Sequence, residues 1–306
     1  MSKIEVISKH IKRSRTLKSG TTYVIHGEVR VATGVKLTIK DKVTILIVNG
    51  ELNKKKSCIL RSALIFDQGS TLIAERLYVK ACNADYKVVK TANNGGIWFL
   101  GNFSDAIKDG VSVKVNRKKP LSYFKAKMIA TYYLGRPDSL ETPESIALDA
   151  LDLQEDLDDD IDGFSVLGVG KSEWDISEIR SYYSADDAFD VTNSHISLNR
   201  LEIKLPIEDG MNISSSRVEI HKSLSIDLRK TKTKDRDLFD LETDDGGSFV
   251  ELYRGCWVKV NGVFGDQVNL SSKDMPKPVT KDNNNRFYSF NGQLKSAALV
   301  FSIDED

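Results

Sequence analysis

Residues 184–220 read SADDAFDVTNSHISLNRLEIKLPIEDGMNISSSRVEI. Two acidic pairs hold equivalent places in this stretch. Asp186-Asp187 precedes Ala188-Phe189-Asp190-Val191, and Glu208-Asp209 precedes Gly210-Met211-Asn212-Ile213. The offset in sequence number is 209 − 187 = 22. A short internal period of this kind signals a repeat architecture, and this one is about the length of one coil of a parallel β-solenoid. Stacked coils would set the two acidic pairs on neighbouring rungs, about 4.8 Å apart.

Outward from this stretch the same phrasing continues. From Thr22 to Lys80, apolar residues such as Val24, Val29, Val31, Leu37, Ile39, Val43 and Ile45 alternate with polar ones in short runs punctuated by glycine. VKLTIKDKVTILIVNGELN and SALIFDQGSTLIAERLYVKA repeat an apolar-x-apolar phrase with Gly or polar breaks. Short alternating runs at steady spacing mean a sandwich, a barrel or a solenoid. Asn-Gly, the hairpin dipeptide, occurs only at Asn49, Asn94, Asn261 and Asn291, so coils that wind in one direction suit the chain better than hairpins.

The segment TANNGGIWFLGN, residues 91–102, together with Gly168-Val169-Gly170 and Ser184-Ala185-Asp186-Asp187-Ala188-Phe189-Asp190, resembles a large group of bacterial secreted or surface right-handed β-helix proteins of pectate-lyase-like fold. The similarity spans residues 20–104 and 163–260. It implies a fold rather than an activity, because the group has no agreed activity. Two departures are plain: Val191-Thr192-Asn193 stands where the group has Phe-Gly-Gly, and no export signal precedes residue 20. Polygalacturonases share that fold, but their Gly-His-Gly and Arg-Ile-Lys motifs are missing here.

The expected fold is therefore all-β: a right-handed parallel β-helix with a helical insertion and capped ends. Its expected divisions are an N-terminal cap over 1–19, coils over 20–116, a helical insertion over 117–150, coils over 151–262 and a C-terminal cap over 263–306. Ile4, Ile7 and Ile11 permit a short amphipathic helix or a leading strand in the first cap. The insertion rests on helical-looking runs around Tyr123 to Leu134 and Pro143 to Leu151, the second opened by Thr142 as cap and Pro143 at the first position. Strands near 286–290 and 297–303 are expected to close the far end.

The totals exclude some functions. Forty-four basic residues balance 44 acidic ones, against the basic excess of a nucleic-acid binder. No run of 18 apolar residues is present, so no membrane span is expected. Cys58, Cys82 and Cys256 are odd in number and widely spaced, which favours free thiols over disulfides. With no apolar signal segment at the N-terminus, the sequence reads as cytoplasmic, although the resembled group is mostly secreted or surface-bound.

The candidate chemistry is acidic. Asp186, Asp187, Glu208 and Asp209 would form a carboxylate ladder, with Asp244-Asp245 on a third coil. Arg180, Tyr182, Arg217 and Asp245 are the candidate ligand contacts. Asp158, Asp160, Asp162 and Gly163 fit the start of a calcium loop, because carboxylates at alternate positions converge on one hard cation. Val169 replaces the glutamate that completes an EF-hand, leaving at most a truncated loop and calcium as the one candidate cofactor. The leading functional expectation is a non-catalytic solenoid that presents an acidic face to a carbohydrate or protein partner. The alternative is a polysaccharide lyase or glycoside hydrolase that uses the stacked carboxylates. A further possibility is that the carboxylates cap solenoid turns, bonding local backbone. His195 and His221 follow the acidic pairs at unequal offsets and read as ordinary surface residues.

Overall fold

The computed structural model describes residues 3–50, 62–102, 120–136, 161–228, 236–278 and 287–303. Among these residues the chain is all-β, with no helix and with large, mostly parallel sheets, an arrangement that fits a β-solenoid. No described helix is long and apolar enough to cross a membrane.

The strands fall into three columns. The first contains β1 (Lys3–Ile7), β3 (Thr21–Ile25), β6 (Val43–Val48), the second halves of β8 (Thr71–Cys82) and β10 (Tyr123–Tyr132), and β13 (Glu178–Tyr182). It continues through the second halves of β15 (His195–Lys204) and β17 (Arg217–Asp227) to β20 (Trp257–Val263). The second column is β4 (Glu28–Val31), β7 (Ala63–Phe66), β9 (Ile97–Leu100), β11 (Phe164–Leu167), β14 (Asp190–Thr192), β16 (Asn212–Ser214) and β18 (Asp240–Glu242). The third holds β2 (Arg15–Leu17), β5 (Lys36–Ile39), the first halves of β8 and β10, and β12 (Trp174–Ile176). The first halves of β15 and β17, then β19 (Ser248–Leu252), extend it.

The chain visits the columns in one cyclic order, and each return adds a parallel neighbour. Glu178 pairs with Arg200 and Asp190 with Asn212, so this coil has one length on both columns (200 − 178 = 212 − 190 = 22). Leu72 pairs with Phe124 (124 − 72 = 52), so other coils carry longer excursions without losing register.

Side-chain alternation explains the columns. Successive residues of a strand point to opposite faces, and the inward set is apolar. Inside the second column, Phe66 lies flat against Phe99 at 5.2 Å between ring centres, and Phe164 follows Phe99 at 5.3 Å and precedes Phe189 at 5.5 Å. All four rings are fully buried.

Two corners have their own chemistry. Between the first and second columns, Tyr133, Tyr183 and Leu205 take left-handed φ of 58°, 59° and 51°. Each then donates its N–H to the next coil: Tyr133 to Tyr182 O, Tyr183 to Lys204 O and Leu205 to Asp227 O. Between the second and third columns a serine ladder forms. Val169 N donates to Ser194 Oγ at 2.8 Å, Ser194 N to Ser216 Oγ at 2.8 Å, and Ser216 N to Ser248 Oγ at 3.5 Å. These bonds satisfy buried backbone donors that a bend would otherwise strand.

At the C-terminal end the pairing reverses. β22 (Phe287–Gln293) runs antiparallel to β20, and β23 (Ala298–Ser302) lies antiparallel to β19 and β21 (Asn269–Ser271). These are the two terminal strands expected from the sequence. Of the two readings allowed for the first residues, strand is the one observed, as β1.

The helical insertion is corrected where it is described. Tyr123–Tyr132 is a ten-residue strand, with Tyr123, Lys125 and Lys127 exposed and Phe124, Ala126 and Met128 buried. Ala, Lys and Met favour helix in isolation, but pairing on both sides, with β8 and with β12 and β13, overrides that weak preference. The second run, Pro143 to Leu151, lies outside the described residues.

Candidate functional site

The acidic pairs lie where the chain leaves the first column and enters the second. After β13 the corner carries Tyr183, Ser184, Ala185, Asp186 and Asp187, then Phe189 turns inward to start β14. The next coil repeats the path from Leu205 to Met211. Asp209 N donates to Asp187 Oδ1 at 2.7 Å, so Asp187 stands over Asp209 on one wall, as the 22-residue period requires. One carboxylate oxygen from each of Asp186, Asp187 and Glu208 falls within 4.8 Å of the others.

The carboxylates also fasten the backbone. Asp186 Oδ2 accepts Ile161 N from the preceding coil at 3.0 Å. Asp209 Oδ1 in turn accepts a short bond from Asp237 N. Burial first, and then the Asp187 charge, push the Asp209 carboxyl far above the ordinary carboxylate range, against the Asp237 N–H that holds it down.

The third rung of this ladder is Asp237, not Asp244-Asp245. Asn212 pairs with Asp240, which sets Asp209 opposite Asp237, and Gly210 N donates to Asp237 O at 2.8 Å. The coil is longer here (240 − 212 = 28), so extending the shorter period misplaces the third acid. Asp244 and Asp245 follow β18 at the other end of the second column. There Ser214 Oγ donates to Asp244 Oδ2 and Asn193 Nδ2 to Asp245 Oδ2, each at 3.3 Å.

The other expected contacts do not gather round the acids. Arg180 and Tyr182 lie on β13, on the outside of the first column. Arg180 Nε donates to Glu178 Oε1 at 2.6 Å and lies 3.8 Å from Glu202. The Tyr182 ring packs on Tyr132 at 5.0 Å, with Lys204 Nζ 5.2 Å over its centre and Lys80 Nζ 5.1 Å over Tyr132. Burial and then Glu202 raise the Tyr182 hydroxyl above its usual range. Arg217 opens β17 on the third column and rests on the Phe249 ring at 5.3 Å. Of the calcium-loop residues, Asp162 is buried, whereas Asp158 and Asp160 lie outside the described residues.

One polar cluster escaped the sequence reading. On the outside of the third column, Glu219 accepts Lys171 Nζ at 2.7 Å on both oxygens, His195 Nε2 contacts it at 2.8 Å and Tyr253 Oη at 3.3 Å. Ser197 Oγ and His221 Nε2 are 2.7 Å apart, and the His221 ring packs at a tilt on Tyr253, 4.0 Å between ring centres. Burial raises the Glu219 carboxyl, but the Lys171 and His195 bonds outweigh that and hold it at about 2. Only register joins these residues. Ser197 pairs with Glu219 and Glu219 with Glu251, which sets His195 and His221 one step along on the same face.

The chain matches no protein-family model, no curated protein and no solved structure.

Proposed function

We propose that the chain is a right-handed parallel β-helix that acts as a non-catalytic binding module or scaffold, its acidic corner turned toward a carbohydrate or protein partner. Right-handed winding is the sense taken by nearly all parallel crossovers. The likeness of the TANNGGIWFLGN and SADDAFD segments to bacterial β-helix proteins supports the same hand.

The observation that carries the non-catalytic reading is the side-chain to backbone ladder. Asp186, Asp187 and Asp209 each accept an N–H from another coil. Carboxylates engaged in this way brace the corner, the turn-capping role short acidic side chains fill. The Tyr132–Tyr182 pair does not offer a sugar platform instead, since Lys80 and Lys204 lie over its rings. A partner's hydroxyls or amides would meet Glu208 and Asp209 at the rim, since Asp186 and Asp187 are buried.

A second reading, glycan cleavage, is favoured by the stacking of Asp209 on Asp187, where burial and the Asp187 charge push the Asp209 carboxyl upward, the pairing that acid–base chemistry uses. The deciding experiment presents uronic-acid and neutral polysaccharides to the full chain. It reads new reducing ends, unsaturated-uronate absorbance and binding heat. Binding without turnover supports the module; turnover that Asp187→Asn abolishes overturns it.

A further inference from the structure

The first winding of the coil leaves its outer edge open. β1, the Ile11 bridge to Val31 and β2 lay one strand or bridge over each of the three columns. Among the described residues no strand pairs with the other side of this winding, and β1 ends the larger sheet. Ile7 O accepts His26 N from the coil behind it at 3.1 Å. Main-chain groups alternate in direction along a strand, so Ile4 and Val6 turn their N–H and C=O groups to the open side.

This edge is apolar on its flank. Val6 stands over Val24, and Val24 over Leu46, an outward file whose two later members are buried. Val6 itself is 43% exposed, and Ile4 beside it 51%. A file that is covered along its length and bare at its last rung ends where a further strand would continue it. Unpaired backbone beside exposed β-branched side chains is a template to which an extended chain adds. Main-chain bonds then give affinity, and alternate side chains give choice.

Charge narrows that choice. Beyond Ile7 the winding rounds a hollow of about 520 Å³, whose lining includes Lys9, His10, Lys12, Arg13 and Arg15. Residues 3–18 hold six Lys and Arg against one acid, Glu5, in a chain whose net charge is zero. Among the described residues only Arg15 of these cations is ion-paired, to Glu5. Lys9, Lys12 and Arg13 are exposed. Such an edge repels a basic strand, including the same edge of a second copy, and attracts one that carries carboxylates. A phosphate polymer would meet the cations but leave the Ile4 and Val6 main-chain groups unpaired, so a peptide is the occupant that uses both.

We propose that the open end of the coil at β1 is a docking edge for an extended acidic peptide of a partner protein. The peptide adds as a parallel strand beside β1, with alternate apolar side chains over Ile4 and Val6. Carboxylates that follow its apolar run reach Lys9, Lys12 and Arg13. The site lies on a different coil from the acidic corner, and it stands whether or not that corner binds a partner.

The test follows the fluorescence anisotropy of a labelled peptide, Thr-Val-Thr-Val-Thr-Val-Glu-Asp-Glu-Asp, titrated with the full chain. Control peptides carry lysine in place of the four acids, or the same residues in scrambled order. The expected result is saturable binding of the first peptide, at least tenfold tighter than either control. Val6→Pro removes an N–H that points to the open side, a place where edge strands tolerate proline. It should weaken binding at least tenfold at an unchanged melting midpoint. Lys9→Glu with Lys12→Glu and Arg13→Glu should weaken it as much and turn the preference toward the lysine peptide. This exposed triple variant keeps the test decisive if Val6→Pro fails to fold. The proposal is overturned if the parent binds no peptide, if the scrambled peptide binds as well as the ordered one, or if either folded variant keeps the parent's affinity. It is equally overturned if the parent elutes as a dimer or larger and Val6→Pro makes it a monomer, which would put a second copy on this edge.

Discussion

Asp209→Asn gives the sharpest check on the acidic corner. Asp209 is enclosed beside Asp187 and keeps its proton well above the ordinary carboxylate range. An unfolded chain releases that proton near the reference value of about 3.9. A carboxyl with a raised folded value contributes stability that is complete below the unfolded value and fades as pH climbs toward the folded one. With one more proton bound in the native state, the loss is about 1.4 kcal/mol per pH unit. Between pH 5 and pH 7 it amounts to roughly 2.7 kcal/mol. Asparagine keeps an oxygen for Asp237 N and offers Asp187 a neutral amide, so the variant removes the penalty and keeps the shape. Urea unfolding from pH 4 to pH 8 should show two curves that nearly meet at pH 4 and separate steadily above it, the variant being the more stable. Parallel curves would mean that Asp209 ionises normally in the folded chain, and the account of a proton-holding corner would fall.

Three other outcomes follow from the same coordinates. Glu219→Gln should cost about 1.5–3 kcal/mol at pH 7, the range for hydrogen bonds to a charged group. Because the Glu219 carboxyl is held at about 2 against an ordinary 4.5, that difference should be complete above pH 4.5 and vanish as pH falls toward 2; a difference that persists at low pH would refute the ion-pair cause. Phe99→Ala should destabilise by about 3–5 kcal/mol, since it empties the middle of the inner aromatic stack, and Phe99→Leu should cost less in the same unfolding assay. Ser194→Ala leaves Val169 N without its acceptor inside the protein and should cost about 1–3 kcal/mol, read as a lowered urea midpoint with an unchanged slope.

The coil was legible where the period was undisturbed. The offset between Asp187 and Asp209 is the offset between Glu178 and Arg200 and between Asp190 and Asn212, because a solenoid turn of fixed girth consumes a fixed length of chain. Alternation marked the inward residues for the same reason. Legibility failed at three places. In YFKAKMIATY the alternation Phe124-x-Ala126-x-Met128 was present, but small and flexible residues gave it too little contrast against a helical pattern. The third acid was misplaced because a longer excursion lies between Asn212 and Asp240. The Glu219 cluster gathers residues from Lys171 to Tyr253, and partners drawn from several coils leave no short motif. Contacts made through stacking become visible only once the register of every coil is known.

The serine ladder bears on how such a chain can change in evolution. Ser194, Ser216 and Ser248 repeat one bond at one corner, yet the intervals between them differ (216 − 194 = 22, then 248 − 216 = 32). Each winding is thus a self-contained module whose joints are identical and whose spare chain is discretionary. Growth by duplicating an entire winding would preserve every joint, and lengthening at a bend would preserve them too. A single residue added within a strand would invert inside and outside for all that follows in that strand. Variation in this protein should accordingly come in whole turns or in ornaments at the bends, with the short strands between them nearly invariant in length.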